Sequence, residues 1–150
     1  MSISDEYKLL SNLPLFEYLD PSELKRLILV SERYSLSPGE YLFLEGESSE
    51  MVYATIKGQY SVLVNTPQGE FELNTIDGLD LIGEIGAILG ESHTASIRAN
   101  SEAEVIGIEN QLFLSTITSN AQSSLKIMQL LAYRVKHLSI ISAELTQKDS

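Results

Sequence analysis

The sequence predicts a mainly β domain, an antiparallel sandwich or jelly roll, with helices on both sides of it in the chain. Residues 32–108 contain six short runs rich in β-branched and aromatic residues: EYLFLE, MVYATI, QYSVLVN, GEFELNT, TASIRA and AEVIGI. Glycine and proline separate these runs, and strands spaced about 8–12 residues apart with such punctuation are typical of sandwiches and jelly rolls. Residues 4–31 and 109–147 carry helical patterns instead, so we expect residues 1–150 to form a single domain with three zones.

The first zone, residues 4–31, contains two helix-start signals. We expect Ser4 to cap a short helix that ends by Pro14. Asp20, Pro21 and Glu23 form the stronger signal, because Asp caps helices, Pro suits the first turn, and Glu three residues after the cap completes a capping box. The second helix would place four apolar residues near one face: Leu24, Leu27, Ile28 and Val30.

Residues 81–90, LIGEIGAILG, interrupt the strand pattern with three glycines in eight residues, which predicts a loop with a short helix. Glycines leave backbone N–H groups unobstructed, and a helix that begins after them directs its N-terminus toward whatever lies there, which suits an anion. Glu84 in this loop is an acceptor suited to a pair of hydroxyls, and His93 and Thr94 could reach the same place. The alternative is a surface loop with a solvated Glu84.

The third zone, residues 109–147, returns to a helical pattern. Asn110 can cap a short helix, and Ser119 or Asn120 can start a long helix that runs toward Thr146. Six residues of the long helix are spaced 3-4-3-4-3, which is a heptad seam: Met128, Leu131, Val135, Leu138, Ser142 and Leu145.

This seam lasts only about two and a half heptads, which is shorter than a coiled coil usually needs. The long helix could therefore pack on its own domain or form a homodimer contact. A second apolar stripe consists of Ile127, Leu130 and Ile141. One stripe could face the domain while the other faces a partner.

Charge excludes several classes of partner. The 10 Lys and Arg residues against 21 Asp and Glu residues give a formal net charge of −11. Nucleic acids and anionic membranes are bound by clustered cations, so we expect neither as a partner. A pocket for one small phosphate remains compatible with this charge.

The composition and the N-terminal sequence exclude several kinds of chemistry and indicate the cellular compartment. The absence of cysteine excludes disulfides, thiol catalysis and cysteine-ligated zinc. The N-terminus lacks the features of a signal peptide, and no apolar run approaches the roughly 20 residues of a membrane span. We therefore expect a cytoplasmic protein. No serine lies in a G-x-S-x-G elbow, and no acidic cluster has EF-hand spacing, so we expect no catalysis, no metal and no bound cofactor.

Several spaced motifs resemble the cyclic nucleotide-binding domain family, as in the catabolite activator protein and the regulatory subunit of protein kinase A. SPGEYLFLEGE, residues 37–47, looks like the family's "P-G-E-x-[aliphatic]-[aromatic]-x-x-G-[DE]" opening, and VYATIKG, residues 52–58, looks like its next strand and turn. GEIG at 83–86 followed by TASIRA at 94–99 resembles its phosphate-binding cassette. The resemblance covers about residues 10–140 and implies a β-roll, or double-stranded β-helix.

The resemblance also implies a ligand pocket between the roll and the cassette. The pocket residues would be Gly83, Glu84, Ile85, Gly86, His93, Thr94 and Ala95. By this resemblance the Glu84 carboxylate would accept a hydrogen bond from a ribose 2′-OH, and residues 93–95 would face the cyclic phosphate. The long C-terminal helix would close over the base. Tyr133 and Arg134 on that helix could stack on the base, or a packed Tyr133 could lie beside a solvated Arg134.

This chain departs from the family at one position. The family usually has Pro-Arg before the Thr-Ala of the cassette, where this chain has Ser92 and His93. Arg offers a permanent planar fork to a phosphate, whereas a His of ordinary pKa is only about a quarter charged at pH 7. Losing a charge-assisted hydrogen bond would weaken binding about tenfold to a hundredfold or more. Arg98 is a poor substitute, because an offset of five residues along a strand places it on the opposite face.

Three roles for His93 follow: a weak or pH-dependent phosphate contact, a contact to a different ligand, or part of a vestigial pocket. We expect a stand-alone regulatory module that senses a small ligand or binds a protein, with a degenerate cassette. The alternative is a functional cAMP or cGMP receptor. The chain stops at Ser150 with no room for a helix-turn-helix, so its output would pass to an effector protein or through dimerisation.

Overall fold

The computed structural model describes the backbone of residues 1–149 and the side chains of residues 1–137. Its helices are Ile3–Leu10 (α1), Pro21–Val30 (α2), Glu84–Leu89 (α3), Asn110–Thr118 (α4) and Ala121–Asp149 (α5), with a 3-10 turn at Pro14–Phe16. Its strands are Glu32–Leu36 (β1), Tyr41–Phe43 (β2), Met51–Lys57 (β3), Gln59–Thr66 (β4), Gly69–Asp77 (β5), Asp80–Ile82 (β6), Ser96–Ala99 (β7) and Ala103–Glu109 (β8).

The strands form two four-stranded sheets, in the orders β1-β8-β3-β6 and β2-β7-β4-β5. Every strand pairing is antiparallel. Apart from the hairpin of β4 and β5, neighbouring strands within each sheet are distant in sequence, as in a jelly roll, where the chain passes repeatedly from one sheet to the other. The predicted fold class, a mainly β roll with helices at both ends, is confirmed.

The two sheets and the helices enclose two hydrophobic clusters that share β8. Val105 on β8 faces the cluster between the sheets, where it packs with Phe43, Tyr60 and Ile97. Ile106 on the same strand faces the other cluster, which the helices cover. Both faces of β8 are therefore buried, which explains why AEVIGI is almost continuously apolar instead of alternating.

The N-terminal helix begins two residues earlier than the sequence predicted. Ser2, not Ser4, is the cap residue: its hydroxyl accepts a hydrogen bond from the Asp5 N–H at 3.1 Å, and the Asp5 carboxylate accepts one from the Ser2 N–H. Glu6 on this helix is buried and pairs with Arg33 at the start of β1, with Nε to Oε2 at 2.9 Å. This pair fixes α1 to the roll.

The second helix begins at Pro21, as predicted, and three of the four apolar residues expected near one face are buried. Leu24, Leu27 and Ile28 are each about 1% exposed. Val30 is 59% exposed, so its prediction was wrong. Val30 follows Ile28 by two residues, which is about 200° around the helix, so its side chain points away from the buried face.

The C-terminal helices depart from one predicted cap and agree with the other. Asn110 is the first residue of α4 and does not cap it; its side-chain amide donates to the Ser49 carbonyl at 2.7 Å. Asn120 does cap α5, because its side-chain oxygen accepts from the Gln122 N–H at 2.9 Å. Within the described residues, no helix combines the length and the hydropathy that crossing a bilayer requires.

Candidate functional site

A cavity of about 260 Å³ lies between the roll, α3 and α5. All seven residues that the sequence predicted for the pocket line it: Gly83, Glu84, Ile85, Gly86, His93, Thr94 and Ala95. We call it the cassette cavity. Its wall also includes Phe43, Asn74 and Asp80, which the sequence did not assign to the pocket, and Arg134, which the resemblance placed near a bound base.

The cassette cavity depends on the backbone at Gly83. This residue has φ of +86° and caps α3, whose first residue is Glu84. A Cβ at position 83 would lie 3.3 Å from the Met51 carbonyl oxygen and 3.5 Å from Cε1 of His93, in a backbone conformation that L side chains rarely adopt. Glycine at this position therefore lets α3 begin directly against β3 and the His93 ring.

His93 is held by both its backbone and its ring. Its N–H donates to the Glu47 carbonyl and its carbonyl accepts from the Gly46 N–H, both at 2.9 Å. The imidazole stacks on the Phe43 ring with centroids 3.6 Å apart and 9° between the planes, and the residue is only 7% exposed. Burial lowers the pKa of His93 from its usual value of 6.5, against a weaker opposing effect of Glu47. The ring is therefore mainly uncharged at neutral pH.

Glu84 is paired with Arg134 of α5. Nη1 of Arg134 donates to Oε1 of Glu84 at 2.8 Å, and the two side chains are 50% and 11% exposed. The two residues are 50 positions apart in sequence, so this contact joins the cassette to the C-terminal helix. Arg134 is half-exposed and also paired with Glu84, a contact that neither sequence-based alternative included.

The remaining predicted residues take different places. Tyr133 is 66% exposed and stacks on His137 with centroids 6.0 Å apart. Arg98 lies outside the cassette cavity, and its Nη1 is 3.7 Å from a carboxylate oxygen of Glu70. The Thr94 residue is exposed at the cavity wall.

The helix residues of the predicted dimer seam separate into two groups. Met128 and Val135 are 59% and 64% exposed. Leu131 is half-buried, and Ile127 and Leu130 of the second stripe pack against the core. The side chains of the remaining seam residues lie outside the described part of the chain: Leu138, Ser142 and Leu145.

The charge of the cassette cavity is negative. Among the described residues that line it, Arg134 is the single Arg or Lys, against Asp80 and Glu84, and His93 is mainly uncharged. The formal charge of the lining is therefore −1. A monoanionic ligand would meet a wall whose one cation is already paired.

Comparisons with known proteins identify related chains. Residues 33–120 match the profile of the cyclic nucleotide-binding domain. An NTE family protein of Mycobacterium tuberculosis is 28% identical over 110 residues, which are 73% of this chain and 18% of that protein. The CRP-like cAMP-activated global transcriptional regulator of the same species is 24% identical over 143 residues, which are 95% of this chain and 64% of that protein.

A solved structure resembles nearly the whole chain. The sensor domain of the transcriptional regulator DNR from Pseudomonas aeruginosa superposes with a TM-score of 0.85 at 25% identity, and the match covers 92% of this chain and 93% of that domain. The chain thus spans less than two thirds of the two curated relatives above but almost all of this sensor domain.

We expect Arg134→Leu to lower the free energy of unfolding by about 1–3 kcal/mol, because the buried carboxylate of Glu84 would lose its charged partner. Chemical denaturation measures this loss. The matched control is Lys136→Leu, which removes an exposed cation from the same helix and should change stability by less than about 0.5 kcal/mol.

The double variant Glu84→Gln/Arg134→Leu separates pairing from packing. Its loss should be smaller than the sum of the two single losses, because no buried charge is then left unpaired. Strict additivity would show that the two side chains do not stabilise each other.

Proposed function

Because this chain belongs to the cyclic nucleotide-binding domain family, we propose that it is a regulatory module whose cassette lacks the fixed cation for a cyclic phosphate. In this proposal the cassette cavity senses a small ligand, or α5 and the roll bind a protein, and no reaction is catalysed. The observation that carries the proposal is the ion pair between Glu84 and Arg134, since it connects the cassette to α5.

The ion pair gives the module a means of transmission. A ligand that hydrogen-bonds the Glu84 carboxylate would compete with Arg134 or rearrange it. Either event changes the free energy of holding α5 against the cassette, and a ligand shifts a conformational equilibrium only through such a difference between states. The position of α5 would then report whether the cassette cavity is occupied.

The charge of the cassette cavity supports the proposal that the cassette binds a cyclic phosphate poorly. A cyclic monophosphate would approach a lining of formal charge −1, beside a His93 ring whose charged form burial disfavours. Part of the binding free energy would be spent on protonating that ring. These features favour weak binding of such a ligand at neutral pH.

The alternative is a functional cAMP or cGMP receptor, and one observation favours it. All seven residues that the family resemblance assigned to the pocket line a single cavity instead of collapsing onto one another. One curated relative is named as cAMP-activated, which makes cAMP the first nucleotide to test.

Calorimetric titration with cAMP and cGMP at pH 7.5 and pH 6 distinguishes the two functions. We expect no binding at high micromolar nucleotide at pH 7.5. Binding through His93 would tighten at pH 6, because lower pH protonates more of the imidazole and so provides a positive charge for the phosphate. Absence of heat at both pH values would exclude the receptor function, and submicromolar binding at pH 7.5 would contradict the degenerate cassette.

His93→Arg tests the missing cation directly. It should tighten cAMP or cGMP binding by at least about tenfold, because a permanent charge would then face the phosphate. His137→Arg is the matched control, since it makes the same substitution at an exposed position of α5. If His93→Arg leaves the affinity for cAMP and cGMP unchanged, the absence of an arginine at residue 93 is not the cause of the low affinity.

We further propose that the signal leaves through α5, to a second copy of the chain or to an effector protein. Leu125 and Met128 form an exposed apolar surface on this helix, 51% and 59% exposed, while Ile127 and Leu130 face the domain. Met128 belongs to the predicted seam, so its exposure supports a stripe that faces a partner, whereas Leu131 of the same seam is half-buried against the domain. The net charge of −11 argues against nucleic acids and anionic membranes as partners, which fits a cytoplasmic protein.

Light scattering tests the homodimer. The unaltered chain should have twice the 16.6 kDa mass of one copy, and Leu125→Glu/Met128→Glu should return it to one copy, because buried charges would oppose association. Gln129→Glu adds a charge at an exposed polar neighbour and should leave the mass unchanged. A mass of one copy for the unaltered chain would leave an effector protein as the partner.

A further inference from the structure

A second cavity, of about 230 Å³, adjoins the cassette cavity and shares Arg134 with it. The turn at Pro14–Phe16, β6, α3 and α5 enclose it, and most of its wall is aliphatic: Leu13, Leu15, Ile88, Ile127, Leu130 and Leu131. We call it the aliphatic cavity. It is open to solvent on one side, and a mostly apolar cleft with a few convergent polar groups is the usual form of a small-ligand site.

Three charged residues line both the aliphatic cavity and the cassette cavity: Asp80, Glu84 and Arg134. Asp80 is exposed, and we call this shared side the polar end of the aliphatic cavity. Glu84 is paired with Arg134, whereas the Asp80 carboxylate accepts one hydrogen bond, from the Leu81 N–H at 2.7 Å. Two carboxylates against one guanidinium leave this end with a formal charge of −1.

The geometry points to an unbranched aliphatic amine as the ligand of the aliphatic cavity. Its chain would lie against the leucine and isoleucine wall, and its ammonium group would lie at the end that carries Asp80. Charge complementarity selects the cationic head, because the polar end is negative and the whole chain carries −11. A carboxylate head would meet Asp80 and Glu84 at the same place.

The volume sets the length of the ligand. At about 30 Å³ for each water-sized group, 230 Å³ holds about eight such groups, which corresponds to a chain of about eight carbons. Burial of each methylene should tighten binding about fourfold where it is fully removed from water. Chain length is therefore a sensitive measure of whether this cavity is the site.

This inference goes beyond the proposed function and does not depend on it, because the site needs no nucleotide and no charge on His93. The two sites would nevertheless influence each other. α5 contributes Ile127, Leu130 and Leu131 to the aliphatic cavity and Arg134 to both cavities. By linkage, any effect of an amine on ligand affinity in the cassette cavity must be matched by the reverse effect.

Calorimetry with octylamine, without nucleotide, tests the site. Octylamine should bind at least about tenfold more tightly than butylamine, because four more methylenes are buried. Octanol and octanoate carry the same chain with neutral and anionic heads, and octanoate should bind at least about tenfold more weakly than octylamine. Equal affinities for octylamine and butylamine would overturn the site, and an octanoate affinity that equals or exceeds that of octylamine would overturn the choice of head group.

Two variants separate the site from general attraction of a cation to an acidic surface. Leu131→Phe should fill the aliphatic cavity and weaken octylamine binding at least about tenfold. Leu125→Phe lies on the exposed side of α5 and should leave octylamine binding unchanged. Asp80→Asn preserves the size of the side chain and removes its charge, so it should weaken the binding of octylamine and leave the binding of octanol unchanged. Octylamine binding that none of these substitutions alters would overturn the proposal, and matching circular dichroism spectra show that each variant is folded.

Discussion

The carboxylate of Glu84 is buried at the first turn of α3, and the cation that stabilises it comes from a different part of the chain. An isolated buried carboxylate is costly, and a paired one is tolerated only with good geometry. The 2.8 Å contact from Arg134 provides that geometry. α5 must therefore lie where its guanidinium reaches the cassette, and this requirement adds to the packing of Ile127 and Leu130 in positioning the helix.

His93 is buried like Glu84, but burial favours its uncharged form, whereas Glu84 is paired with a cation. Where the family resemblance expects a permanent cation, this chain packs an aromatic ring flat against Phe43 and excludes it from water. Burial lowers the pKa of His93, so the position contributes stacking more than charge. Consequently the one Arg among the described residues of the cassette cavity is Arg134, which is already engaged by Glu84.

Local sequence signals predicted most of the fold and missed what depends on distant contacts. The six apolar runs and the glycine-rich interval at 81–90 carry their own periodicity and punctuation, so both the roll and α3 could be recognised. β1 could not, because its sequence ERYSL contains no β-branched residue and a single buried residue, and β6 has only three residues held by pairing with β3. The pair of Glu84 and Arg134 joins positions 50 residues apart and leaves no local pattern. The correct cap of α1 was visible as Ser2 with Asp5 three residues later.

Distance measurement by double electron–electron resonance tests most directly whether the ion pair holds α5 against the roll. The chain has no cysteine, so spin labels can be placed on Glu102→Cys in the roll and Lys136→Cys on α5 without further changes. When the labelled chain is diluted with excess unlabelled chain, so that distances between two copies are rare, we expect one narrow distance distribution in this background and a broader or displaced one after Arg134→Leu. Arg26→Leu is an exposed control that should change nothing. Identical distributions with and without Arg134 would contradict the account, because α5 would then be positioned by packing alone.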